Sequence, residues 1–236
     1  MPVAKIIGIL GGMGPEATCD LFHKIIRVTP RFKPVRRDQD HLRVIVDSNP
    51  LIPDRTAAIL ADGEDPVPAL QETARNLERA GAGLIAMPCN TAHYFWGEVQ
   101  AAVSIPVLHM MEEVARELAG TRPGPAQVGL LATTGTVKTG LYHRALEARG
   151  IRVLVPGPAD QDVVMEAISR IKRGDLQGAR APLQAVGRWL QEAGAEAIIE
   201  GCTEIPLVLR DEDVDVPLVD ATRVLAETAV RAALSA

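Results

Sequence analysis

The chain has 236 residues, 47% of them hydrophobic, enough to bury a core as one large domain or two small ones. A net charge of -5, with "RVTPRFKPVRR" at 27–37 as the one basic run, argues against nucleic-acid or anionic-membrane partners and reads as solvated surface. No stretch approaches the ~20 apolar residues of a membrane span. Its three cysteines form no CxxC or Cys/His cluster, so neither a disulfide framework nor a metal site is expected.

In chain order, "MPVAKIIGIL" reaches its apolar run too early for a secretory leader, and the expected location is cytoplasmic. Strands are predicted at 5–10, 42–47, 84–87, 107–110, 128–132, 152–155, 197–200 and 218–220. The first ends on "GGMGPEA", with Gly12, Gly14 and Ala17 in a G-x-G-x-x-A pattern. A dinucleotide loop would need an acidic residue ~20 positions on. That count lands in the basic "RFKPVRRD". The loop therefore reads as a tight strand-to-helix turn, with Pro15 opening the helix, backbone amides facing a ligand and Met13 lining its pocket. Cys19, on that helix, reads as a small buried core residue. A helix is expected over 65–81, with Asp65 as cap and Gly81 as stop. Two more are expected over 162–174 and 175–194, with Pro182 beginning or kinking the second. Apolar strands alternating with helices imply parallel sheets covered on both faces.

The strands fall into two groups because the sequence repeats. "LERAGAGLIAMPCNT" at 77–91 aligns with "LQEAGAEAIIEGCTE" at 190–204. In the same order, "IGILGGMG" pairs with "VGLLATTG", and "IPVLHM" with "VPLVDA". The expected fold is α/β, with two pseudo-symmetric domains, each a roughly four-stranded parallel sheet flanked by helices. Residues 1–112 form the first domain and 113–219 the second. "GTRPGP" reads as the linker, and a C-terminal helix over 220–236 returns to the first domain.

Parallel α/β sheets bind ligands beyond the carboxyl ends of their strands, where Cys89 and Cys202 both fall. Two thiols reaching one cleft from opposite sides suit inversion at a carbon: one takes a proton while the other delivers one. The ordinary thiol pKa of ~8.5 can be tuned for either task. Asn90-Thr91 and Thr203-Glu204 follow the cysteines at potential helix starts, where backbone amides could hold a carboxylate. Thr133 and Thr136 follow the strand that repeats the first, and are expected to contact the same carboxylate. His93, four residues after Cys89, would either tune the thiolate or bond locally. His109, His143, His23 and His41 have no partner at meaningful spacing.

The stretches "GILGGMGPEAT", "NPLIPDRT", "MPCNTAH", "IKRG" and "EGCTEIPL" together resemble the aspartate/glutamate racemase superfamily, and most of all its aspartate racemase branch. The resemblance implies a cofactor-independent racemase, dimeric in form, with Cys89 and Cys202 as the two acid/base groups in the cleft between the domains. It assigns essential roles to Arg55 and Lys172. An Arg55 fork would hold a second substrate carboxylate and favour an acidic amino acid, aspartate and also glutamate. Glutamate racemases open with Asp-Ser-Gly and carry His after the second Gly-Cys-Thr; here the opening is "GGMGPE" and that position holds Glu204. Rival readings are a maleate isomerase using one cysteine as covalent nucleophile, a hydantoin or broad-specificity amino-acid racemase, and a non-catalytic amino-acid sensor.

Overall fold

A computed structural model describes residues 4–235. Residues 1–3 and 236, which the expected domain and helix boundaries include, lie outside the described residues. The chain divides into two compact units, one reaching to Met110 and resuming at Thr222, the other spanning Met111–Ala221.

The first unit contains β1 (Ile7–Gly11), α1 (Pro15–Val28), β2 (Val44–Ser48), α2 (Arg55–Leu60), α3 (Val67–Arg79), β3 (Leu84–Ala86) and α4 (Trp96–Ala101). Its parallel sheet runs β2-β1-β3. A fourth strand, expected over 107–110, shrinks to one parallel bridge, Val107 to Ile85. The chain turns instead into α5 (Met110–Gly120), because Met110, Met111, Val114, Ala115 and Leu118 recur at helical spacing and are all buried. The apolar run that resembled a strand is the start of an amphipathic helix.

The second unit contains β4 (Gln127–Ala132), α6 (Thr134–Thr139), α7 (Leu141–Glu147), β5 (Arg152–Leu154), α8 (Pro158–Lys172), α9 (Leu176–Glu192), β6 (Ile198–Gly201) and β7 (Leu218–Asp220). Its sheet is parallel throughout, in the order β5-β4-β6-β7. With the Val107 bridge counted, both sheets place their strands second-first-third-fourth, so the sequence repeat is a repeat of topology. Pro182 neither begins nor ends α9, which runs through it. The missing Pro182 amide would orphan the carbonyl of Gly178, four residues back, but Arg170 Nη1 donates to that oxygen at 3.2 Å.

Both cores follow from the strand patterns. β1, β3 and β6 are buried along their whole lengths. α3 packs on the first sheet, and α8 and α9 pack on each other and on the second. Each fully buried Leu or Ile contributes about 1.5–3 kcal/mol. The last helix, α10 (Ala221–Leu234), is tied within the first unit: Lys5 N–H donates to Ala233 O at 2.9 Å, and Glu227 accepts from Arg31 at 2.5 Å.

Candidate active site

In the first unit the site residues gather where β1 and β3 end. Ile9 and Ala86 are the last registered pair, so Gly12 and Cys89 each lie three residues beyond it on neighbouring strands. The glycine loop folds as expected, with Gly14 as N-cap and Pro15 opening α1. Its first amide does not face a ligand: Gly12 N–H donates to Thr18 Oγ1 at 2.8 Å, and that hydroxyl donates to Gly14 O at 2.9 Å. Gly12 has φ +93°, and a Cβ there would lie 2.3 Å from the Asn49 backbone, so only glycine lets the two loops close on each other.

Cys89 is 6% exposed and shares a buried cluster with Leu10, Met13, Ile52 and Ala92. Asn90 and Thr91 are buried, and a 3-10 helix, Thr91–Phe95, begins directly after Asn90. His93 Nδ1 lies 2.8 Å from the carbonyl oxygen of Cys89, so the ring bonds the backbone of that residue. Burial first, then the electrostatic influence of neighbouring His109, lowers the His93 pKa to about 4, which keeps the ring neutral. The His109 ring stands between His93 and Trp96, with centroids 5.4 and 5.2 Å away. His109 was not legible as a neighbour of His93, because the contact joins residues 16 positions apart.

Arg55 opens α2, because Asp54 caps that helix by accepting from Ala57 N–H at 2.7 Å. Arg55 Nη1 donates to Ile52 O and Pro53 O at 3.1 and 2.9 Å, fixing the guanidinium beside the Cys89 cluster. Its Nε is enclosed without a partner. Cys19, expected in the core, is exposed. The buried face of α1 runs through Ala17, Leu21 and Ile25, and Cys19 falls about half a turn away from it.

In the second unit, β4 and β6 end side by side, with Ala132 registered on Gly201. Thr133 and Cys202 follow as the next residues on neighbouring strands. Thr133 caps α6, accepting from Thr136 N–H at 3.1 Å with the two hydroxyl oxygens 3.0 Å apart. Gln161 of α8 holds the same loop, donating to Ala132 O at 2.9 Å, a role with no signal in the sequence. Cys202 is 6% exposed. Its sulfur donates to Glu204 Oε2 at 3.0 Å, and Thr203 Oγ1 donates to the same oxygen at 3.2 Å. Glu204, expected to contact substrate, therefore faces the thiol.

Burial first, then the charge and hydrogen bond of Glu204, push the Cys202 thiol well above the usual range, against an opposing pull from Lys172. Lys172 ends α8 and is exposed. Tyr142 lies fully buried under Gly201; burial and the charges of Asp220 and Cys202 keep its hydroxyl protonated. Of the expected residues, the first unit groups Met13, Arg55, Cys89, Asn90 and Thr91. The second groups Thr133, Thr136, Lys172, Cys202, Thr203 and Glu204.

No helix among the described residues is long and apolar enough to cross a membrane. The family model for Asp/Glu/hydantoin racemases matches residues 10–229. The chain is 31% identical to the broad specificity amino-acid racemase RacX of Bacillus subtilis (strain 168), over 95% of this chain and 96% of that protein. Among solved structures, the aspartate racemase of Picrophilus torridus superposes with a TM-score of 0.86 at 33% identity, covering 97% of this chain and 94% of that one. An aspartate racemase homologue from Pyrococcus horikoshii OT3 gives 0.77 at 28% identity, covering 98% and 99%. A glutamate racemase from Francisella tularensis, at 19% identity and a TM-score of 0.68, shares the fold. The chain belongs to the Asp/Glu/hydantoin racemase family and is an amino-acid racemase, an isomerase.

Proposed function

We propose that this racemase interconverts L- and D-aspartate, and also accepts glutamate, by proton transfer between Cα and two thiols without a cofactor. One observation carries the reading: Cys89 and Cys202 lie just past the ends of β3 and β6, strands that occupy the same place in two sheets of the same order. A duplicated fold that keeps a thiol at the equivalent position of each copy has the parts for transfer on two faces of one carbon. In one direction the Cys89 thiolate takes the Cα proton and the Cys202 thiol delivers its own to the opposite face; the other direction exchanges the roles. Proton count is conserved, and each turnover leaves the sulfurs in the opposite state.

The Arg55 guanidinium, steadied by two carbonyls of its own turn, receives one carboxylate as a planar fork. Thr133, Thr136 and the segments Asn90-Thr91 and Thr203 receive the other, with Met13 as the apolar wall and Lys172 adding positive potential. The similarity to the Picrophilus enzyme favours aspartate. The similarity to RacX favours a second reading, a broader amino-acid range on the same two thiols. The thiols must stay reduced to work, which suits the cytoplasm. The working form is proposed to be a homodimer, which light scattering would read.

In deuterium oxide, wild-type protein should wash label into Cα of both aspartate enantiomers. Cys89→Ala and Cys202→Ala should each abolish racemisation while retaining exchange of a single, opposite enantiomer. Racemisation at the wild-type rate in both variants would remove the mechanism. A chiral chromatography panel of the common amino acids separates the acidic-substrate reading from the broad one.

A further inference from the structure

We propose that Glu204 is the proton partner of Cys202, forming with it a buried thiol–carboxylate pair that holds one proton between sulfur and Oε2. This rests on the racemase reading, and assigns to Glu204 a catalytic role in place of substrate contact. The sulfur and Oε2 are 3.0 Å apart, and both side chains are buried. Thr203 Oγ1 donates to the same oxygen at 3.2 Å, which orients the carboxylate toward the sulfur. The backbone fixes the approach: Cys202 follows the last residue of β6, and Glu204 stands immediately before the 3-10 turn Ile205–Leu207, whose first amide donates to Cys202 O at 3.0 Å.

Two anions are strongly disfavoured on neighbouring sites in so dry a place, so the sulfur and Oε2 share one proton. At rest the hydrogen sits on sulfur and Cys202 is the acid; as it gives that proton to Cα, Glu204 takes one up from solvent, so that no carboxylate anion is left beside the thiolate. When Cys202 must act as base, its S–H bond breaks with the electron pair left on sulfur, and an O–H bond forms on Glu204. The thiolate then takes the Cα proton, and Glu204 later releases its proton to solvent. Nothing is oxidised or reduced. The other charged or titratable groups facing this sulfur within the unit are Lys172, at the end of α8, and Tyr142, on α7. Lys172 pulls toward the thiolate and Glu204 against it.

The sulfur can be read without turnover. The rate at which iodoacetamide alkylates the Cys202 peptide, followed by mass spectrometry across pH, gives the midpoint of its ionisation. In wild-type protein that midpoint should lie above the ordinary ~8.5 of a thiol. Glu204→Gln, which keeps the shape and removes the charge, should lower it by about one to three units. Glu204→Asp should fall between them. The alkaline limb of kcat/KM should move down with the midpoint, equally in both directions, because enantiomers have equal free energy. Equal midpoints in wild type and Glu204→Gln would overturn the pairing; a moved midpoint with an unmoved pH–rate limb would overturn the catalytic role. If Glu204→Gln does not fold, a wild-type midpoint at or below ~8.5 overturns the proposal and a higher one supports it. A midpoint that moves in a protein unable to racemise any amino acid would leave the pair standing and fail the racemase mechanism instead.

Discussion

The His93 ring holds the carbonyl oxygen of Cys89 at 2.8 Å through Nδ1. A neutral imidazole has one N–H, so in this contact Nδ1 is the donor and Nε2 carries no proton. Burial lowers the pKa to about 4, against backbone hydrogen bonds to Cys89 and Leu108 that favour the charged form. The chain after β3 is thus pinned by an uncharged ring.

That ring should give the protein an acid-sensitive stability. The folded-state pKa of about 4 lies below the ordinary value of 6.5, so the unfolded chain binds the proton first as pH falls. The contribution is fully present above pH ~6.5 and is lost between there and pH ~4, amounting to roughly 3 kcal/mol across the window. His93→Asn, which can place an amide nitrogen near the Nδ1 position, should be less stable than wild type at pH 7 and close that gap by pH 4.5. Urea unfolding at both pH values measures it; a gap of constant size would mean the ring does not titrate in this window.

Much of this arrangement could be read from residue order alone. The repeat between 77–91 and 190–204 located both cysteines at strand ends, because a buried strand followed by a small-residue turn leaves a recognisable pattern in each copy. Where the chain offered an apolar run without that punctuation, as at Met110-Met111, strand and helix were indistinguishable until the buried spacing through Leu118 appeared. Cys19 failed for a different reason: one small residue cannot reveal the phase of its helix. The roles of Glu204, His109 and Gln161 depend on where side chains point across tertiary contacts, and no spacing in the sequence encodes that direction.

Gly12 and Gly81 separate two costs that usually travel together. Both adopt positive φ, +93° and +95°, but an added Cβ meets the Asn49 backbone at 2.3 Å in the first and nothing within 4 Å in the second. Gly81→Ala should therefore cost only the backbone strain, about 1–2 kcal/mol. Gly12→Ala should cost that and the clash, lowering Tm further by several degrees and loosening the turn ahead of α1. Thermal unfolding of the two variants side by side would show the difference; equal losses would mean the loops can part at no cost.

Arg55, proposed above as the carboxylate fork, should act on substrate affinity more than on the chemical step. Two carbonyls of its own turn accept from Nη1 and brace the guanidinium. Arg55→Lys keeps the charge but cannot brace against the turn and offer a planar pair of donors together. Loss of one charge-assisted hydrogen bond, about 1.5–3 kcal/mol, should raise KM for aspartate roughly 10- to 100-fold, with kcat changing much less. Circular dichroism of the racemisation reaction gives both constants. A fall in kcat at unchanged KM would place Arg55 in the transition state instead.

Glu227 is the anchor of α10. The residue is 6% exposed, and its carboxylate accepts from Arg31 at 2.5 Å and from Arg223, one turn earlier on the same helix, at 3.0 Å. Arg31 sits in the turn that follows α1, so the ion pair ties residues 196 positions apart within one unit. Further ties are the Lys5 to Ala233 backbone bond and Arg231 over the Phe32 ring at 5.5 Å. Glu227→Gln keeps the side-chain shape and removes the charge, at a cost of about 1–3 kcal/mol because both guanidinium partners lose a charged acceptor. The loss should be local. Amide hydrogen exchange should quicken along α10 while β4 and β6, in the other unit, keep their protection. Faster exchange in β4 and β6 as well would instead show that the helix and the second sheet open together.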